Sequence, residues 1–289
     1  MKLLLAALFA VAAMNAPAAT APPGDDPYLW LEDVQGQRAL DWVRARNDEA
    51  RAVLEKHPRF DAMCTRILEI LDSREKIPYV SRRGDALYNF WQDAANPRGL
   101  WRRTTLEQYR KAQPAWETVL DLDALAAAEG ENWVWKGATC FGPQYRQCVL
   151  SLSRGGADAS VLREFDAVEK RFVEATDGGF VLPQAKSSIE WIDAHTVYVA
   201  TDFGPGSLTD SGYPRVIKRW KRGTPLQSAA TVFEGEASDV AAFVNVDRTP
   251  GFERTVFGRF TDFYNTRQWL LQRSTTRAMR ASRSGATAC

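Results

Sequence analysis

The sequence predicts a mainly β fold: an incomplete β-propeller of about three and a half four-stranded blades, preceded by two N-terminal α-helices. Three observations carry this expectation. From Ile77 onward, apolar residues alternate with period two in short runs. Turns rich in Gly, Pro, Asn and Asp separate those runs. The runs fall into clusters spaced by roughly 45–55 residues, near the repeat length of a four-stranded blade. Before Ile77 the apolar spacing is helical.

The 289 residues suit one large or two modest domains, and a hydrophobic content of 45% is ample for a core. The 10 Trp, 14 Phe and 8 Tyr suit broad sheet faces. A formal net charge of +1 gives no electrostatic case for nucleic acid or for an acidic membrane.

Residues 1–19 read as a signal peptide. Lys2 supplies the positive end, Leu3 to Ala13 a short apolar run, and Ala16-Pro17-Ala18-Ala19 the small residues of a cleavage site. The run is too short to span a bilayer. The mature chain is therefore expected to be exported, periplasmic or secreted, with no membrane association after cleavage.

Residues 20–75 form a linker and helical segment. Leu40, Val43, Asn47, Ala50 and Leu54 predict a helix from about Gln37 to Lys56. Phe60, Met63, Cys64, Ile67, Leu68 and Leu71 predict a second, amphipathic one, Phe60 to Leu71. His57-Pro58 separates them. Cys64, on the apolar stripe, is expected to pack in a core.

Residues 76–273 form the partial propeller. The first cluster comprises Pro78 to Ser81, Ala86 to Gln92, Leu100 to Thr104 and Glu117 to Leu122. The second is built on a hairpin turning at Gly142-Pro143. Trp133 and Trp135 oppose Val134 across its first strand. Cys148, Leu150 and Leu152 share one face of its second strand, and Val149, Ser151 and Ser153 the other, which predicts half-burial. Val161 to Phe165 and Arg171 to Glu174 complete that cluster. The third has Ser188 to Trp191, Thr196 to Asp202, Arg215 to Trp220 and Thr231 to Glu234. The fourth has Val240 to Val246, Arg254 to Phe260 and Gln268 to Gln272. Residues 274–289 lose the alternation, carry Arg277, Arg280 and Arg283 with no acid, and read as a disordered or out-of-frame tail without a closing strand.

Candidate chemistry is sparse. Cys140 and Cys148 flank the hairpin connection and are a possible disulfide; free thiols are the alternative, which spacing does not decide. No CxxC or Cys/His cluster marks a metal site, and no cofactor is implied. Asp121, Asp123, Glu129 and Glu131 are expected to be solvated. Gly155-Gly156 and Gly204-Pro205-Gly206 lack the strand–loop–helix setting of a phosphate loop and read as turns. Lys218, Arg219, Lys221 and Arg222 read as an exposed strand face and strand end. His57 and His195 have no nucleophile in a suitable setting.

The stretch Asp26-Pro27-Tyr28-Leu29-Trp30-Leu31-Glu32-Asp33 resembles the opening signature of the prolyl oligopeptidase family of serine peptidases. Trp42-Val43 with Arg46-Asn47 continues the resemblance, as do Tyr88 to Asp93, Asn96 to Thr104, Leu150 to Asp158, Arg163 to Asp166, Thr201 to Gly204 and Gly212 to Arg215. The likeness runs from about Asp25 to Arg273. It implies a propeller capping an α/β-hydrolase domain, with the N-terminal helices packed against the latter. It further implies a Ser nucleophile on a G-x-S-x-G turn, followed by Asp and His, cleaving short peptides after proline. The 289 residues contain no G-x-S-x-G, so no catalytic residue is assigned. The chain alone is expected to be inactive and to meet a short peptide substrate only within a complete protein, with a hydrolase domain in cis. The alternatives are an exported non-enzymatic binding module completed by self-association through the open propeller or by a partner, and the truncated product of a disrupted gene.

Overall fold

The computed structural model describes residues 26–271 and 281–282. The expected leader, and the expected tail apart from 281–282, lie outside the described residues. The chain divides into two compact units between Glu69 and Ile70.

In the first unit a short 3-10 turn, Leu29–Glu32, precedes helix α1, Gln37–Leu54, and helix α2 begins at Phe60 and ends at Asp72. The Trp42 ring lies 6.3 Å from Tyr28 and 6.2 Å from Trp30, and the Arg38 guanidinium lies 4.1 Å above Trp30. The opening signature thus folds onto α1 as a small aromatic cluster. No residue of α2 is buried, and Met63, Ile67 and Leu68 are each more than half exposed. Cys64 is exposed as well, which corrects the expectation of core packing. An amphipathic stripe is buried only against a second apolar surface, and no described residue of this unit supplies one over α2.

The second unit holds four antiparallel sheets. The first consists of β1 Ser81–Arg83, β2 Ala86–Asp93, β3 Asn96–Thr105 and β4 Glu117–Asp121, with a helical turn, α3 Leu106–Tyr109, before β4. Helix α4, Leu122–Glu129, leads to the second sheet: β5 Trp133–Cys140, β6 Gln147–Arg154, β7 Ser160–Asp166, β8 Arg171–Phe172 and β9 Val181–Ala185. The third has β10 Ser188–Asp193, β11 Thr196–Ala200, β12 Val216–Lys221 and β13 Ala230–Glu234. The fourth has β14 Ala241–Asp247, β15 Arg254–Phe260, β16 Thr266–Leu271 and β17 Ala281–Ser282. Each runs as a meander in chain order, the arrangement of a propeller blade.

The details depart from the sequence reading in three places. Strand β1 runs from Ser81 to Arg83, three residues later than expected at its start. Strand β9 was not anticipated. It pairs with β7 alongside β8, so the two together form one edge strand interrupted between Phe172 and Val181. Pro183 and the Gly178-Gly179 pair hide its signal, and proline is tolerated there because an edge strand need donate on one side only. Finally, β17 pairs by its backbone with Gln268 and Trp269, giving the fourth sheet a two-residue closing strand where none was expected.

The core sits between sheets. Tyr88, Trp101, Leu122, Trp133, Leu150 and Phe165 pack between the first and second. Val149, Phe180, Leu182, Trp191, Val197 and Trp220 pack between the second and third. Tyr198, Ala200, Ile217, Phe233, Ala242 and Phe257 pack between the third and fourth. The alternation along β6 therefore sorts residues between two neighbouring sheets, not between core and water. Cys148, Leu150 and Leu152 are fully buried on one face, and Val149 and Ser153 are as deeply buried on the other. This corrects the half-buried reading of that strand.

Candidate functional site

The hairpin of β5 and β6 turns through Phe141 to Arg146. Cys140 and Cys148 lie opposite each other in the ladder, with their sulfurs bonded at 2.05 Å. Past this brace the Tyr145 N–H donates to the Phe141 carbonyl at 3.0 Å, and Tyr145 adopts φ 54°. The loop's neighbourhood brings together parts of the other three sheets. Arg83 of the first sheet donates to the Ala138 carbonyl at 3.1 Å. Trp191 of the third donates its indole N–H to the Thr139 carbonyl at 2.9 Å, and its ring lies 5.8 Å from Phe141. Arg248, just after β14 of the fourth, sets its guanidinium 5.4 Å from the centre of the Phe141 ring.

Beside the loop lies an open cavity of about 800 Å³, whose lining includes Phe141, Pro143, Tyr145, Tyr198, Arg248 and Arg254. The size is that of a small-molecule site, and its walls mix aromatic and apolar residues with four charged ones, Asp247, Arg248, Glu253 and Arg254. Arg254 is matched by Asp247 at 3.2 Å. Arg248 has no such match: its Nη2 is shut off from solvent without a hydrogen-bond partner. Burial pushes the Arg248 guanidinium below its ordinary range, against the attraction of Glu190 and Tyr145. Burial likewise pushes the Glu190 carboxyl up, with Arg248 opposing.

A second cavity, of about 500 Å³, is lined by residues that include Glu164, Asp166, His195 and Arg222. Glu164 on β7 is almost wholly buried and accepts two bonds from Arg222, each 2.8 Å, plus one from the Phe180 N–H at 2.9 Å. Arg222 also donates to the Gly178 and Ala194 carbonyls. It thereby ties the turn after β12 to the interruption between β8 and β9. Gly179 is required in that interruption, since a Cβ there would run into the Val173 carbonyl oxygen. Arg222 is thus a half-buried clamp and not an exposed strand end, because the long side chain reaches back to the neighbouring sheet.

The other residues singled out in the sequence stay apart and are structural. The Asp121 carboxylate caps α4 by accepting from the Ala124 N–H at 2.9 Å. Asp123 accepts from the N–H groups of Arg98 and Gly99. Glu129 pairs with Arg163 at 2.7 Å and Glu131 with Arg154 at 2.8 Å. All four carboxylates reach solvent, as expected, and each also holds a cap, a turn or a cation. Gly155, Gly156, Gly204 and Gly206 all have positive φ, as tight turns demand. His195 sits in the β10–β11 turn, where its N–H donates to Asp193 at 2.7 Å. His57 accepts the Arg59 N–H between the two helices. Among the described residues, neither imidazole is hydrogen-bonded to a serine hydroxyl.

Successive four-stranded antiparallel meanders with cores between the sheets define the blades of a β-propeller. The chain belongs to the prolyl oligopeptidase family: residues 15–272 match the family's N-terminal β-propeller domain. It is 40% identical over 250 residues to an uncharacterized peptidase of Sinorhizobium fredii, covering 83% of this chain and 33% of that protein. It is 30% identical over 210 residues to an uncharacterized peptidase of Rickettsia prowazekii, covering 71% of this chain and 29% of the other. Among solved structures, a post-proline cleaving enzyme from Rickettsia typhi matches with a TM-score of 0.75 and 28% identity, over 87% of this chain and 37% of that one. The chain spans about a third of the length of these relatives.

Proposed function

We propose that this chain is the propeller portion of an exported serine peptidase that cleaves short peptides after proline, and that the 289 residues by themselves are inactive. The observation that carries the reading is the match over residues 15–272 to the N-terminal propeller domain of this family, together with the missing G-x-S-x-G turn. Acyl transfer needs an activated nucleophile beside a base, and the chain offers no such serine setting. The role left to it is to select what reaches a hydrolase domain. The exposed apolar face of α2, with Met63, Ile67 and Leu68, fits helices that pack on such a domain. Export is supported by the Lys2-to-Ala19 leader pattern and is compatible with the Cys140–Cys148 bond. The test is hydrolysis of a proline-containing chromogenic peptide by the purified chain. No turnover is expected; turnover abolished by a serine-directed phosphonylating reagent would refute the inactivity.

A further inference from the structure

We propose that the cavity beside the disulfide-braced loop is a carboxylate-binding site, in which Arg248 grips the anion while Phe141, Tyr145 and Tyr198 receive an attached apolar or aromatic group. The inference stands on the cavity itself and does not depend on the peptidase reading.

Arg248 forms no hydrogen bond or ion pair with any described residue, although every other arginine that lines the two cavities except Arg171 is matched by a carboxylate. A guanidinium holds its charge throughout the physiological range, and here its Nη2 is taken out of water without a partner, which is costly. An anion supplied from outside removes that cost. A carboxylate is the favoured class because an ionised acceptor makes a strong charge-assisted bond to the guanidinium N–H groups that remain accessible. Glu190 feels the charge of Arg248 but forms no ion pair with it, and its own burial favours the neutral carboxyl. Arg248, partly exposed, therefore lines a cavity of about 800 Å³ with no carboxylate paired to it, although Asp247, held by Arg254, and Glu253 line the same cavity. The walls argue for more than a bare ion. Phe141 and Tyr145 belong to a loop pinned by the Cys140–Cys148 bond, and Tyr198 stands on the central strand β11, so the apolar surface is held in place before a ligand arrives.

The test uses the full chain and two probes of nearly equal size: hippurate, an aromatic acylamino acid with a free carboxylate, and hippuramide, its uncharged amide. Titration calorimetry at fixed ionic strength is expected to show hippurate binding at least about tenfold more tightly than hippuramide, the ratio corresponding to one charge-assisted contact. Arg248→Met is expected to erase the preference while thermal unfolding stays cooperative. Equal binding of the two probes by the unaltered chain, or no binding of either, overturns the proposal even if the variant fails to fold. Retention of the hippurate preference in folded Arg248→Met also overturns it.

Discussion

Glu164 and Arg222 carry a buried charge pair whose members come from adjacent sheets. Removing one partner leaves the other uncompensated, so Arg222→Met is expected to cost about 3 kcal/mol or more in urea unfolding. The double change Arg222→Met with Glu164→Leu should recover much of that loss, because an apolar pair of similar bulk carries no stranded charge. Asp93 offers a different test. The Trp91 indole N–H, then Asn96 and the Ala95 N–H, donate to its carboxylate and hold it at about 2, although burial pushes the other way. A depressed carboxyl contributes stability that is present above its unfolded value near 4 and is lost as pH falls through about 2. The prediction is a fall in unfolding free energy between about pH 4 and 2 that is shallower in Asp93→Asn, measured by denaturant titration at each pH. Neither feature was legible in the sequence. Arg222 looked like one member of a basic run, and Arg248 had no motif around it at all. A guanidinium's partner is set by where a long side chain ends, which local spacing does not encode.

At the scale of elements, period-two alternation identified nearly every strand, since each strand divides its side chains between two faces. What the alternation did not disclose is what lies beyond each face. Along β6, Val149 is buried in the core shared with the third sheet and Ser153 is buried as well, although both positions resembled a solvent face. Strand β9 escaped because its proline and flanking glycines are turn chemistry by composition, yet an edge position accepts them. The helices were legible from their stripes, but the exposure of Cys64 was not, because a stripe shows only which side seeks cover. Both faces of β6 being core leads to an expected outcome: Leu150→Ala should destabilise the second unit by about 3 kcal/mol in chemical unfolding. By contrast, Phe263→Ser in the exposed β15–β16 turn should change stability by no more than about 0.5 kcal/mol.

For the whole molecule, the resemblance of scattered motifs from Asp26 to Arg215 to one family anticipated the propeller assignment, because such motifs mark recurrent turns and strand pairs. No equivalent marker exists for the cavity beside the loop, which is assembled from the second, third and fourth sheets and from residues more than a hundred positions apart. The three cores described above have a further bearing. Each is shared by two adjacent sheets, so cohesion passes along the row as couplings between nearest neighbours, much as in a zipper. Backbone amides in β6 and β11, gripped from both sides, should exchange with deuterium most slowly in the 289-residue chain, and those of β2 and β15 sooner. A uniform exchange rate across all four would mean that the row opens as one body, and graded rates would let each coupling be measured strand by strand.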